Sequence, residues 1–133
     1  MRTVLTVGVF DLLHWGHFEL FRRAREFGER LVVAVQRDAY VLKYKPQTKL
    51  VYDWDTRVKM IGALRYVDMV VPYEDVDESI KHLDFDVFAI GADQKHVGFL
   101  RAAKWCQDHG KEVVVLSRTE GISSSLLRAG GRS

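Results

Sequence analysis

The sequence predicts an α/β protein: a Rossmann-like, doubly wound parallel sheet of five strands in a single domain. Three observations carry this expectation. Apolar runs of strand length recur at residues 4–9, 31–35, 69–71, 87–90 and 113–116. The runs are continuous rather than alternating, as in strands covered on both faces. Segments with helical spacing lie between most of them, and such alternation argues for parallel strands joined by right-handed crossovers.

The elements follow in chain order. The first strand, 4–9, leads to a helix expected over 15–27, where Leu20, Ala24 and Phe27 share a face and Gly28 suits the C′ position. The second strand, 31–35, is followed by a long connection over 37–53. Long connections in compact domains tend to carry function. Residues 54–64 place Val58, Ile61 and Leu64 at helical spacing and lead to the third strand, 69–71. A short helix over 75–83, a strand over 87–90, a longer helix over 99–109 closed by Gly110, and a last strand over 113–116 complete the pattern. Repeats, proline-rich linkers and low-complexity tracts are absent, and only 129–133 is expected to fray.

Bulk properties exclude several classes. The chain has 133 residues, enough for one domain and one core, with the single domain expected over 1–133. A net charge of +2, with Lys and Arg spread along the chain and no basic tail, gives no support for a nucleic-acid partner. Cys106 is the one cysteine, so no intrachain disulfide can form and no Cys/His set has zinc spacing. No apolar run approaches twenty residues and the amino-terminal one is too short for a signal peptide, so no membrane insertion is expected and the cytoplasm is the default location.

The segment Gly8-Val9-Phe10-Asp11-Leu12-Leu13-His14-Trp15-Gly16-His17 is the most informative. It joins the carboxyl end of the first strand to the start of a helix, where unpaired N–H groups and the positive end of the dipole attract anions. His14 and His17, three residues apart, fall on one face there. Gly8 and Gly16 let backbone approach a ligand closely. Such a site suits a polyphosphate. In open α/β sheets ligands bind at the carboxyl ends of the strands, near the point where strand order reverses. The segment Arg118-Thr119-Glu120-Gly121-Ile122-Ser123-Ser124-Ser125 follows the last strand and reaches the same edge.

The first segment resembles the HxGH signature of the cytidylyltransferase family, within the HxGH nucleotidylyltransferase superfamily, and the second resembles that family's RTEGIS motif. The resemblance covers nearly the whole chain. It implies in-line attack of a substrate phosphate on the α-phosphorus of a nucleoside triphosphate, with no covalent enzyme intermediate. His14 and His17 then bind and neutralise triphosphate charge in the transition state. Trp15 between the histidines resembles the glycerol-phosphate branch of the family.

Other site residues follow from the same resemblance. Val9 and Phe10 match strand-end positions that cradle the nucleotide, although Phe10 equally suits a core residue anchoring the turn. Asp11 suits either orientation of a histidine or bracing of the loop. In the 37–53 connection, Lys49 matches a phosphate-binding lysine best, and Lys45 or Lys43 supplies a second. Arg57, in Asp55-Thr56-Arg57, resembles an E-x-R pattern with Asp for Glu. It could fork onto a phosphate of the acceptor or form an ion pair on the helix surface. Gly91 and Asp93 match a G-x-D-W segment that contacts the nucleotide, with Gln94 in place of the tryptophan; a Gln there also resembles flavin-nucleotide adenylyltransferases. Arg118 can pair with β- and γ-phosphates, with Thr119, Ile122 and Ser123 beside it, while Ser123 also suits an N-cap.

The implied reaction is transfer of a cytidylyl group from CTP to a small phosphorylated alcohol, with glycerol 3-phosphate the leading acceptor. The products are a CDP-alcohol, a precursor of surface polymers, and pyrophosphate. Alternatives are another phosphate or phosphonate acceptor, adenylyl transfer from ATP, or a module that senses CTP or CDP-alcohols without turnover. Mg²⁺ is implied as the partner of the triphosphate; it keeps several waters and binds mainly through phosphates, so no protein ligands are assigned. A homodimer is expected from the resemblance alone.

Overall fold

A computed structural model describes residues 1–117. The strands are β1 (Thr3–Gly8), β2 (Arg30–Gln36), β3 (Met69–Tyr73), β4 (Val87–Gly91) and β5 (Glu112–Leu116). The helices are α1 (Trp15–Arg25), α2 (Asp38–Tyr44), α3 (Trp54–Gly62), α4 (Val76–Ser79) and α5 (Val97–Asp108), and Ile80–His82 forms a 3-10 turn. All four pairings are parallel, in the order β3-β2-β1-β4-β5. The chain thus forms a single-domain α/β fold in which strand order reverses between β1 and β4, the crevice where such sheets bind ligands.

Alternation along the central strands builds a core on each face, because successive side chains point to opposite sides. Val4, Leu31, Val33, Val35, Val87 and Ala89 face Phe21 and Ala24 of α1 and Ile61 of α3. Leu5, Val7, Val32, Ala34, Phe88 and Ile90 face Val76, Ile80, Ala102 and Cys106 on the α4–α5 side. This two-sided cover explains why the sequence runs are uniformly apolar in β1, β2 and β4. The outer strands are covered less completely, and Met69 in β3 and Val115 in β5 are exposed.

The register opens the site. β1 and β2 pair along the whole strand, from Thr3 with Arg30 to Gly8 with Val35. By contrast, β1 and β4 pair only at Val4 with Val87 and Leu5 with Phe88. Beyond those two pairs the strands no longer share a ladder, and the carboxyl ends of β1 and β4 form the crevice.

Two local expectations need correction. The 37–53 connection contains α2, a short helix with one buried residue, Val41, and therefore too little apolar periodicity to announce itself. Gly28 is not a left-handed cap: α1 ends at Glu26 in the right-handed region, and Gly110 is the one glycine with positive φ among the described residues, at 74°. What excludes a side chain at Gly28 is space, since a Cβ there would lie 2.5 Å from the Arg2 carbonyl oxygen.

Candidate active site

β1 ends at Gly8, and the chain turns sharply through Phe10, whose φ of 54° lies in the left-handed region. The Phe10 ring folds back over the strand end. A Cβ on Gly8 would stand 2.7 Å from Phe10 Cζ, so a larger residue there would push the ring from this position. Phe10 is buried and meets Phe21 and His17 edge-on, at centroid distances of 5.2 and 5.4 Å. Of the two roles open to its side chain, the structure places it in the core, where it also props the second histidine.

The histidines are built into the start of α1. His14 is the N-cap: its Nδ1 accepts from Gly16 N–H at 3.1 Å, while His17 Nδ1 accepts from His14 N–H at 3.3 Å. This reciprocal capping box uses imidazoles where Ser and Glu are usual. The rings stack at 3.9 Å with 20° between their planes. Each Nδ1 accepts a hydrogen bond, so its lone pair is committed and the cap itself fixes the orientation of both rings. The capping also changes the expected source of donors. Gly16 N–H is taken by His14 and His17 N–H by the His14 carbonyl at 2.9 Å, so those two amides are already engaged within the turn.

Asp11, almost fully buried, accepts from Val51 N–H and Tyr52 N–H, each at 2.8 Å. Of its two expected roles, loop bracing is the one these bonds show. They pin the connection two residues after Lys49 to the turn that carries His14. Exposed Lys49 and Lys45 make no ion pair among the described residues, whereas Lys43 pairs with Asp75 at 3.5 Å.

Arg57 is not on the helix surface. Its side chain is fully buried; Nη1 donates to the Val9 carbonyl at 2.7 Å and Nη2 to Asp38. Nε has no hydrogen-bond partner among the described residues. The guanidinium thus ties the end of β1 to the start of α2, and both forks are spent inside the protein rather than held out for an acceptor phosphate. Asp38 also accepts from Trp54 N–H at 3.2 Å, and Trp54 Nε1 donates to the Val35 carbonyl at 3.0 Å, so β1, β2, α2 and α3 are knitted at one edge. Asp38 was not singled out from the sequence; its position directly after β2 was the available signal.

Across the crevice, Gly91 and Asp93 lie in the turn after β4. Gly91 N–H donates to Gln94 Oε1 at 2.8 Å, and Gln94 Nε2 donates to the Val7 carbonyl at 2.9 Å. Exposed Asp93 belongs to the same turn through its carbonyl, which accepts from Lys95 N–H at 3.1 Å. Ser117, the last described residue, is held by Arg23 of α1, which donates to its carbonyl at 2.8 Å and its hydroxyl at 3.2 Å. The expected site residues Arg118, Thr119, Ile122 and Ser123 lie outside the described residues. The structure therefore gathers His14, His17, Val9, Gly16 and the anchored Lys49 loop at the end of β1, with Gly91 and Asp93 facing them from β4. Among the described residues no group of three or more His, Cys, Asp or Glu is placed to hold a metal ion, so these side chains offer no protein-built cage for magnesium. No helix among them is long and apolar enough to cross a membrane.

The chain is similar to known proteins over almost its whole length. The chain is 40% identical to the glycerol-3-phosphate cytidylyltransferase of Staphylococcus aureus, over 96% of this chain and 93% of that one. It is 39% identical to the enzyme of the same name from Bacillus subtilis, over 96% and 95%. Among solved structures, the lipopolysaccharide core biosynthesis protein of Thermoplasma volcanium superposes with a TM-score of 0.72 at 26% identity, over 90% of this chain and 97% of that one. Residues 5–130 match the family described as cytidylyltransferase-like, and with the stacked histidines at the reversal of strand order this places the chain in that family of nucleotidyltransferases.

Proposed function

We propose that the protein transfers a cytidylyl group from CTP to glycerol 3-phosphate, giving CDP-glycerol and pyrophosphate. The observation that carries the reading is the pair of stacked imidazoles, each locked through Nδ1 at the start of α1 and the reversal of strand order. The relatives of that name, similar over almost their full length, support the choice of CTP and of the acceptor.

In this reading the acceptor's phosphate oxygen, already anionic at neutral pH, attacks the α-phosphorus in line while the bond to the pyrophosphate oxygen breaks. No general base is needed. The transition state gathers negative charge on the α-phosphoryl oxygens and the leaving group, and preorganised donors lower its energy more than that of the ground state. His14 and His17 are assigned to the triphosphate, Lys49 and Lys45 to its charge from the anchored loop, and Arg118 with Thr119, Ile122 and Ser123 to closing the site. Val9, Phe10, Gly16, Gly91 and Asp93 form the nucleotide's backbone cradle. Arg57 acts by holding that cradle. Magnesium is assigned to the triphosphate, entering as its complex. The catalytic unit is taken as 1–133, working as a homodimer.

The test is pyrophosphate release with CTP and glycerol 3-phosphate in wild type and His17→Ala. Loss of a transition-state donor should lower kcat by about 10²-fold or more. Wild-type turnover in the variant would overturn the role given to His17, and CTP binding without turnover in wild type would favour a sensor.

A further inference from the structure

We propose that Gln94 is a positioning residue that sets the separation of the two walls of the nucleotide crevice, and so governs affinity for the nucleotide rather than for the acceptor. The proposal rests on the cytidylyltransferase reading for the identity of that nucleotide. Its physical basis is the unfinished ladder between β1 and β4. The two strands pair at Val4 with Val87 and at Leu5 with Phe88 and then stop, although β1 runs on to Gly8 and β4 to Gly91. Parallel strands that part in this way leave main-chain groups facing a gap, and buried groups of that kind must find partners.

The Gln94 amide fills the gap. Its Nε2 donates to the Val7 carbonyl at 2.9 Å and its Oε1 accepts from Gly91 N–H at 2.8 Å, the bonds a peptide unit would make there. A carbonyl can only accept and an N–H can only donate, so these partners fix the amide's orientation. Val7 immediately precedes the Gly8–Phe10 turn, and Gly91 begins the turn carrying Asp93. One side chain therefore couples both halves of the proposed cradle across the reversal of strand order. No tryptophan could do this alone, since an indole donates and does not accept. Val9 and Arg57, by contrast, brace only the β1 side.

Gln94→Met keeps side-chain length and removes both bonds; Gln94→Glu keeps the acceptor and sets a carboxylate against the Val7 carbonyl. The expected result for Gln94→Met is a KM for CTP raised about tenfold, as for loss of about one net hydrogen bond with its positioning. Its kcat should fall far less than KM rises, and KM for glycerol 3-phosphate should stay within about twofold, the pattern of lost uniform binding. Gln94→Glu should be worse. A second readout does not depend on turnover: amide exchange at Gly91 should quicken by about tenfold in Gln94→Met while Ala89, deeper in β4, keeps its rate. Unchanged CTP affinity in folded Gln94→Met, equal rises in both KM values, or unchanged Gly91 exchange would each overturn the proposal. Absence of CTP binding in wild type would instead overturn the cytidylyl reading, and Gly91 exchange would then decide the bridge by itself.

Discussion

On the proposed function, His14 and His17 serve both the fold and the chemistry with the same rings. Nδ1 of each ring is engaged in the cap of α1. The two roles can be separated. In His14→Asn the amide oxygen still accepts from Gly16 N–H, but no donor stands at the Nε2 position. Thermal stability is expected to stay near wild type, since Asn is a good N-cap, while kcat falls by about 10²-fold. Equal losses of stability and turnover would make His14 mainly a cap. Asp11 acts through the loop it holds. Asp11→Ala leaves Val51 and Tyr52 N–H without their acceptor, and a cost of about 1–3 kcal/mol in urea unfolding is expected. Arg57 separates bracing from acceptor binding. Arg57→Met removes the donors to the Val9 carbonyl and to Asp38, and a loss of about 2–4 kcal/mol is expected. A variant of full stability with a raised KM for glycerol 3-phosphate alone would return Arg57 to the acceptor. At this scale the spacing of the two histidines was legible, but their capping was not, because an imidazole N-cap is indistinguishable by composition from an exposed ligand. Arg57 was misplaced for a reason present in the sequence: it stands three residues after Trp54 and four before Ile61, on the apolar stripe of α3.

Each element near the site is fastened by its ends. Asp53 caps α3 through a bond of 2.9 Å from Thr56 N–H, and that bond holds its carboxyl below the usual carboxylate range. A group with a lowered folded-state pKa stabilises above its unfolded value and loses that contribution as acid protonates it. The gap in melting temperature between wild type and Asp53→Ala should therefore narrow as pH falls from 7 to 3; a gap that widened would contradict the capping account. α5 ends at Gly110 with φ of 74° and open space where a Cβ would stand, so Gly110→Ala should cost about 1 kcal/mol from backbone strain alone. The strands were legible to within one residue at each end where both faces are covered, as in β1, β2 and β4. They were less so in β3, which continues past Val71 through Pro72 to Tyr73 on an outer strand. α2 was missed because what holds it is a set of polar ties through Asp38, and polar ties leave no periodic trace.

At the scale of the molecule, a central pair of strands parts early, and the described residues assigned to the proposed nucleotide collect around the gap. The α1 end supplies the imidazoles, the α2–α3 connection supplies lysines pinned by Asp11, and the turn after β4 supplies the opposite wall. Far from this, Cys106 lies buried on the α5 face of the sheet, and burial pushes its thiol up to about 11. It should react slowly with thiol reagents at pH 8 while the protein is folded, and rapidly in denaturant; fast reaction of the native protein would mean that this face opens. The doubly wound architecture was legible from alternating apolar and helical segments, but the early parting of β1 and β4 was not, since both strands read as unbroken apolar runs. The most direct test of the account is magnesium-dependent pyrophosphate release with CTP or ATP against glycerol 3-phosphate and a panel of phosphorylated acceptors. The account requires release with CTP and glycerol 3-phosphate that depends on His17; release with ATP alone, or none with any acceptor, would contradict it.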